Sequence, residues 1–417
     1  MMEVKRVRLL CAAFFILGSV LTLLAVVIGF SLFVQRYSGE SIVQILARTR
    51  SQTPATSAQR GPWGVLESLE LPLANTEGVF PDEQERMQDP KWVFENYTEN
   101  ALSRFLSSCD LTPVQTGVLL NKQSWTIGPN RIVITPPAPL VWSLSHRARQ
   151  QIYSVLASSA ANYPQRFPFR LPLSAFDLKF KNSGLSAAQL DRIRRLTYTN
   201  DSCLCFSDLQ AVKSVLPADD FKEFVAALYT IPSYILRLRV DSNSDVEALV
   251  NYWGRGGREK RIAPILNSLS KVPGGSSMNI SYLLPTFPRL RLYTYPEDWD
   301  DATAARQDCF YTSMNFFNET PDTNFFDSAY SRKFLNSKYE PVNGDPVFGD
   351  VIALFDDKGD AIHTCVYIAD DFVFTKNGIN EAQPWVLMRM SDMFLIYYHG
   401  EQSGPVLFLR RKDLPAR

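Results

Sequence analysis

Histidine is the scarcest chemically versatile residue in this chain, with three copies in 417 positions, and cysteine follows with six. Each imidazole and each thiol can therefore be weighed individually. A surplus of either charge is also missing, since Lys+Arg 43 balance Asp+Glu 43. That removes any global electrostatic case for nucleic acid or an acidic polymer as partner. No fixed period recurs, so the chain is not a repeat array. The glycine-rich stretch Tyr252-Trp253-Gly254-Arg255-Gly256-Gly257-Arg258-Glu259-Lys260-Arg261 lacks phosphate-loop spacing and a preceding strand. It reads as a solvated turn before a short helix over 262–269, with Pro264 in the first turn. Cys203 and Cys205 have no histidine near them, which gives zinc little support. No metal and no organic cofactor is implied.

Apolar and aromatic residues, by contrast, are plentiful. A hydrophobic content of 46% and an aromatic content of 12% are those of a folded protein and exclude disorder throughout. The length points to two folded units with connecting segments. Residues 9–34 are almost wholly apolar, long enough to cross the roughly 30 Å hydrocarbon layer as one helix. Lys5, Arg6 and Arg8 precede this run and only Arg36 follows closely, which predicts a cytoplasmic N-terminus at 1–8 and an exported remainder, single-pass at a bacterial inner membrane. A cleaved signal peptide is the competing reading, against which the run is long and ends without a small-x-small site. Cys11 falls inside it, and the five remaining cysteines cannot all pair, so an oxidising compartment leaves a free thiol. Cys203 and Cys205 are too close for a relaxed mutual disulfide; pairing of Cys109 with either stays open.

Residues 35–77 mix Ser, Thr, Gln, Pro and Gly and read as a spacer, the second half equally as an ordered loop on the body. Residues 78–279 read as a mostly helical region of unknown role, with helical spacing at 147–163, 186–196 and 218–228 and two strands at 123–128 and 131–134. From residue 280 the pattern changes to a helix followed by strands at 350–355, 363–369 and 371–375, with Gly359 in a hairpin turn and a last edge strand at 406–409. The expected class is α+β.

Within this last part, Cys309 in Asp308-Cys309-Phe310-Tyr311 opens a helical run and His363 opens an apolar strand, the order of a thiol nucleophile and its base. A thiol of pKa about 8.5 becomes a thiolate more readily at a helix N-terminus beside an imidazole, and the Cys309 backbone N–H would face a developing oxyanion. His146 reads as a solvated helix start and His399 as a turn. Strand alternation puts Cys365 on the face of His363, parallel to the base and poorly set for proton transfer.

These residues resemble the NlpC-type cell-wall hydrolases, a branch of the papain-like cysteine peptidases. Tyr295, Asp308-Cys309, Gly349-Asp350 and His363-x-x-x-Tyr367 stand in the family's order over residues 280–417. Phe310-Tyr311 replaces the usual Ser-Gly after the cysteine, and Pro296-Glu297 replaces a glycine pair after the tyrosine. The resemblance implies a papain-like domain in which the cysteine helix packs on an antiparallel sheet. It implies hydrolysis of amide bonds in peptidoglycan peptides, with Cys309 as nucleophile, His363 as base and Tyr295 assisting the oxyanion. For the third residue, which orients His363, Thr375 falls nearest the family position, while Asn377 has the chemistry of the papain orienter and is preferred. Two other readings are a catalytically inactive binding or assembly protein of the cell envelope, and an acyl- or amide-transfer enzyme on another substrate.

Overall fold

A computed structural model describes residues 59–74, 80, 82–200, 203–296, 307–342, 344–378, 383–397 and 403–414. Two bodies of core organise them. The first, within 80–229, surrounds two three-stranded antiparallel sheets, Trp92–Glu95, Arg131–Ile134 and Trp125–Gly128 in one, Phe169–Pro172, Cys203–Phe206 and Thr197–Asn200 in the other. Helices His146–Leu156, Ala187–Arg194 and Ala218–Tyr229 cover them. Ser186 starts the second with a capping box to Gln189, as its Ser-x-x-Gln sequence dictates.

The second body holds the site. Its centre is a six-stranded antiparallel sheet made of β1 (Tyr339–Pro341), β2 (Val351–Asp356), β3 (Ala361–Ala369), β4 (Phe372–Lys376), β5 (Trp385–Arg389) and β6 (Ser403–Arg411), in the spatial order β1-β6-β2-β3-β4-β5. Two helices sandwich it, α1 (Cys309–Met314) and α2 (Met390–Tyr397). Alternation along the strands sorts the partners. Val366, Ile368, Phe374 and Leu387 face α1 in one core cluster, and Cys365, Val373, Val386 and Met388 face α2 in another. Both faces are buried, so these strands read as continuous apolar runs rather than alternating ones. Gly349, at φ +88°, lets the Phe317 ring pack where a Cβ would stand, and after Asp350 the chain enters β2 at Val351.

Several expectations need correction. Residues 78–279 are α+β instead of mostly helical: among the described residues they carry eight strands, of which the two expected at 123–128 and 131–134 are present as Trp125–Gly128 and Arg131–Ile134, and others, such as TYTN and CLCF, are too short and too mixed in polarity for periodicity to expose. Strands Tyr234–Val240 and Ser276–Asn279, with Gly64–Glu70, form a further sheet whose core is shared with α1 and the six-stranded sheet. The boundary expected at 279/280 falls inside that core. Part of the expected spacer is thus folded, with Leu66 buried opposite Leu238. No helix among the described residues is long and apolar enough to cross a membrane; the run at 9–34 expected to do so lies outside them. The glycine-rich patch is not a solvated turn. Arg255 donates to the carbonyls of Phe348 and Leu414, and the buried Arg258 donates to those of Leu283 and Trp253. The strand expected at the edge, β6, is interior, hydrogen-bonded to β2 on one side and β1 on the other.

Candidate functional site

Asp308 is the N-cap of α1, its Oδ1 accepting from the Tyr311 amide at 2.8 Å, so Cys309 is fixed as the first helical residue. Two further bonds dock the helix. Trp385 Nε1 on β5 donates to Thr312 Oγ1 at 2.9 Å, and Thr364 Oγ1 on β3 donates to the Cys309 carbonyl at 3.0 Å. The helix thus meets β3 at the residue next to His363. Phe310 and Tyr311 turn into the core instead of filling a groove, and Tyr311 stacks on Phe326 at 4.8 Å.

His363 lies on the opposite side of the same strand position, under α2. Its Nε2 is 3.0 Å from Thr375 Oγ1 on β4, and its ring stacks on Tyr397 with centroids 3.9 Å apart and planes 13° apart. Its Nδ1 is buried without a hydrogen-bond partner among the described residues. A tautomer with the proton on Nε2 donates to Thr375 and leaves Nδ1 as the free base.

Of the residues singled out from the sequence, the structure joins His363 to Thr375 on the α2 side of the sheet, while Cys309 packs in the core on the α1 side and is tied to the same strand through Thr364. Asn377 does not take the orienting place: its Nδ2 points at Met388 Sδ, 3.8 Å away. The Tyr295 hydroxyl donates to the Ala74 carbonyl at 2.9 Å, which engages the proton assigned to an oxyanion. Asp350 serves the framework, its carboxylate accepting from Arg410 Nη2 at 2.6 Å, Arg255 Nη1 at 3.3 Å and the Val347 amide at 2.9 Å. Cys365 is buried on the His363 face, as alternation required. His146 is exposed at its helix start, and His399 lies outside the described residues.

The electrostatics differ from the expected thiolate. Burial, then the neighbouring Asp308 carboxylate, push the Cys309 thiol up to about 12, against the amide and hydroxyl of Thr364 that face the sulfur. Burial lowers His363 to about 3. A one-and-a-half-turn helix supplies little dipole, so desolvation decides and the resting pair is neutral thiol and neutral imidazole. Cys309 is 5% exposed and His363 fully buried. No disulfide joins the five described cysteines: Cys109 pairs with neither Cys203 nor Cys205, whose sulfurs are 3.7 Å apart in a hydrogen-bonding contact.

Tyr397 and Thr364 went unread in the sequence. Thr364 was legible through alternation beside His363. Tyr397 ends an apolar run, MSDMFLIY, with no period to show which side faces the sheet. Among the described residues no group of three or more His, Cys, Asp or Glu is placed to hold a metal ion. Two clefts, one lined by Val114 and Pro137 and one by Phe326 and Tyr330, include neither Cys309 nor His363. Comparison with protein families, curated proteins and solved structures found no match.

Proposed function

We propose that the chain is a cysteine hydrolase of amide bonds, with Cys309 as nucleophile, His363 as base and Thr375 as the residue that orients His363. The observation that carries this reading is the state of the His363 ring. One nitrogen is held by Thr375 at 3.0 Å and the other has no partner among the described residues, on a strand whose next residue, facing the other way, hydrogen-bonds the Cys309 carbonyl. Such an imidazole is fixed in tautomer with one unprotonated nitrogen, and the burial that holds it at about 3 has to be relieved for that nitrogen to accept a proton near neutrality. Turnover requires the Cys309 thiol, packed on the α1 side, and His363 Nδ1, on the α2 side, to be brought into contact; Nδ1 then takes the thiol proton as sulfur attacks the carbonyl carbon. It returns that proton to the leaving amine, and water then releases the acyl group from the sulfur.

The resemblance of Asp308-Cys309, Gly349-Asp350 and His363-x-x-x-Tyr367 to NlpC-type enzymes supplies the substrate class, the peptides of bacterial peptidoglycan. A substrate of that kind places the site outside the inner membrane. Digestion of purified peptidoglycan tests it: new peptide fragments with the wild type and none with Cys309→Ala are expected, and intact sacculi beside a reactive thiol would reject the substrate.

The second reading, a binding or assembly protein of the cell envelope without turnover, is favoured by burial of both groups. Saturation binding to peptidoglycan fragments with no product over long incubation would favour it.

A further inference from the structure

Cys203 and Cys205 lie two residues apart on Cys203–Phe206, the middle strand of a three-stranded sheet in the 80–229 body, so alternation sends both side chains to one face. Their sulfurs are 3.7 Å apart. Cys203 Sγ donates to the Asn200 carbonyl at 3.2 Å, which leaves Cys205 as the donor within the pair. Cys205 is fully buried, and Cys203, the first residue of the strand, is 6% exposed. Directly opposite Cys205 stand Arg170 on one neighbouring strand and Tyr198 on the other. The Cys203 thiol and burial push the Cys205 thiol up, and the Arg170 guanidinium acts the other way through charge and a hydrogen bond. Arg170 Nε is buried without a hydrogen-bond partner among the described residues. A negative charge on the sulfurs would complete that arrangement.

We propose that Cys203 and Cys205 form a two-coordinate site for a soft monovalent cation of the Cu(I) class, with Arg170 as its counter-charge. The strand itself opposes a disulfide. Two residues advance about 6.6–6.8 Å along a strand with their side chains parallel, whereas a cystine needs its Cβ atoms about 3.5–4.5 Å apart. Structural zinc takes four ligands, and among the described residues no third His, Cys, Asp or Glu joins the pair. Cu(I) selects thiolates and is satisfied by two of them in line. At a metal–sulfur distance of about 2.2–2.3 Å the sulfurs stand about 4.5 Å apart, which rotation about the Cα–Cβ bonds reaches from 3.7 Å. Charge closes as well: two thiolates, one monovalent ion and one guanidinium sum to zero, as a buried site requires. Binding exchanges the two thiol protons, released to solvent, for the ion, with no change of oxidation state. The core that holds the pair contains neither Cys309 nor His363, so the site stands whether or not Cys309 is a nucleophile.

The test uses Cu(I) as the probe. The reduced full-length chain is titrated without oxygen against a coloured Cu(I) chelator, and the ion withdrawn per chain is counted. The wild type is expected to take one equivalent in preference to the chelator. Cys203→Ser and Cys205→Ser are each expected to weaken that site about a hundredfold or more and Arg170→Leu about tenfold, while Cys109→Ser and Cys309→Ala leave it unchanged. No equivalent in the wild type, or one retained in both serine variants, would overturn the site. Unchanged affinity in Arg170→Leu would overturn the counter-charge. Should the serine variants fail to fold, X-ray absorption of the copper-loaded Cys309→Ala chain decides. Two sulfur neighbours in line support the site, and a third ligand, or nitrogen or oxygen neighbours, rejects it. Zn(II) held at one equivalent by the wild type and lost from both serine variants would reject the two-coordinate reading.

Discussion

Thr375 Oγ1 and His363 Nε2 lie 3.0 Å apart across neighbouring antiparallel strands, both residues fully buried. Removing the hydroxyl in Thr375→Val keeps the shape and strands a ring nitrogen inside the protein, which costs about 1–3 kcal/mol. The expected result is that loss in urea denaturation, together with a fall of about tenfold or more in amide turnover. Thr375→Ser restores most of both, while Asn377→Ala changes turnover little. A Thr375→Val enzyme with unchanged turnover would remove this residue from the mechanism.

The two reactive groups give opposite limbs to the pH dependence of stability. Burial holds His363 at about 3 in the folded protein, below the ordinary value of about 6.5. The unfolded chain therefore binds the extra proton between those values. Stability from this group is full above about pH 6.5 and falls as pH drops toward 3, by about 1.4 kcal/mol per unit at most. Cys309, raised to about 12, contributes fully below the ordinary thiol value of about 8.5 and loses its contribution as pH rises toward 12. In urea unfolding, His363→Leu is expected to flatten the acid limb and Cys309→Ala the alkaline limb. Limbs parallel to the wild type in both variants would contradict the assignment.

Tyr295→Phe removes the bond to Ala74 and nothing that touches the thiol is expected to change. Turnover should stay within about twofold of wild type, whereas loss of an oxyanion donor lowers it by about a hundredfold or more. Steady-state kinetics distinguishes the two.

Asp350 is a buried anion between Arg410 and Arg255. Asp350→Ala leaves two guanidinium groups facing each other, and a loss of about 3–5 kcal/mol is expected. Gly349→Ala is expected to lower the melting temperature as well, because φ +88° and the Phe317 ring both oppose a Cβ. Calorimetry measures both. A stable Asp350→Ala protein with lost activity would make Asp350 a site residue instead.

The strands β2 to β4, the turn at Gly359 and the start of α1 were legible because local signals sufficed. Apolar runs, a turn glycine and an Asp N-cap each act within a few residues. The partner of the imidazole was less so. Thr375 and Asn377 share a strand face, and only the register of β3 against β4 decides which reaches His363. Interior placement of β6 was invisible because strand order is a long-range property. Arg255 and Arg258 looked solvated for the same reason, since the carbonyls and the carboxylate that hold them, Asp350 among them, lie up to 159 residues away. Most of the short strands of 78–279 failed for a different cause. Trp125–Gly128 and Arg131–Ile134 were legible from the Pro-Asn turn between them, whereas isolated four-residue segments carry too few side chains to show a period of two.

The reactivity of Cys309 through His363 is tested most directly by a thiol-reactive amide probe at neutral pH. The wild type should be labelled at Cys309 alone, Cys309→Ala not at all, and His363→Ala about a hundredfold more slowly with its fold intact. Equal labelling with and without the imidazole, or labelling at another cysteine, would contradict it.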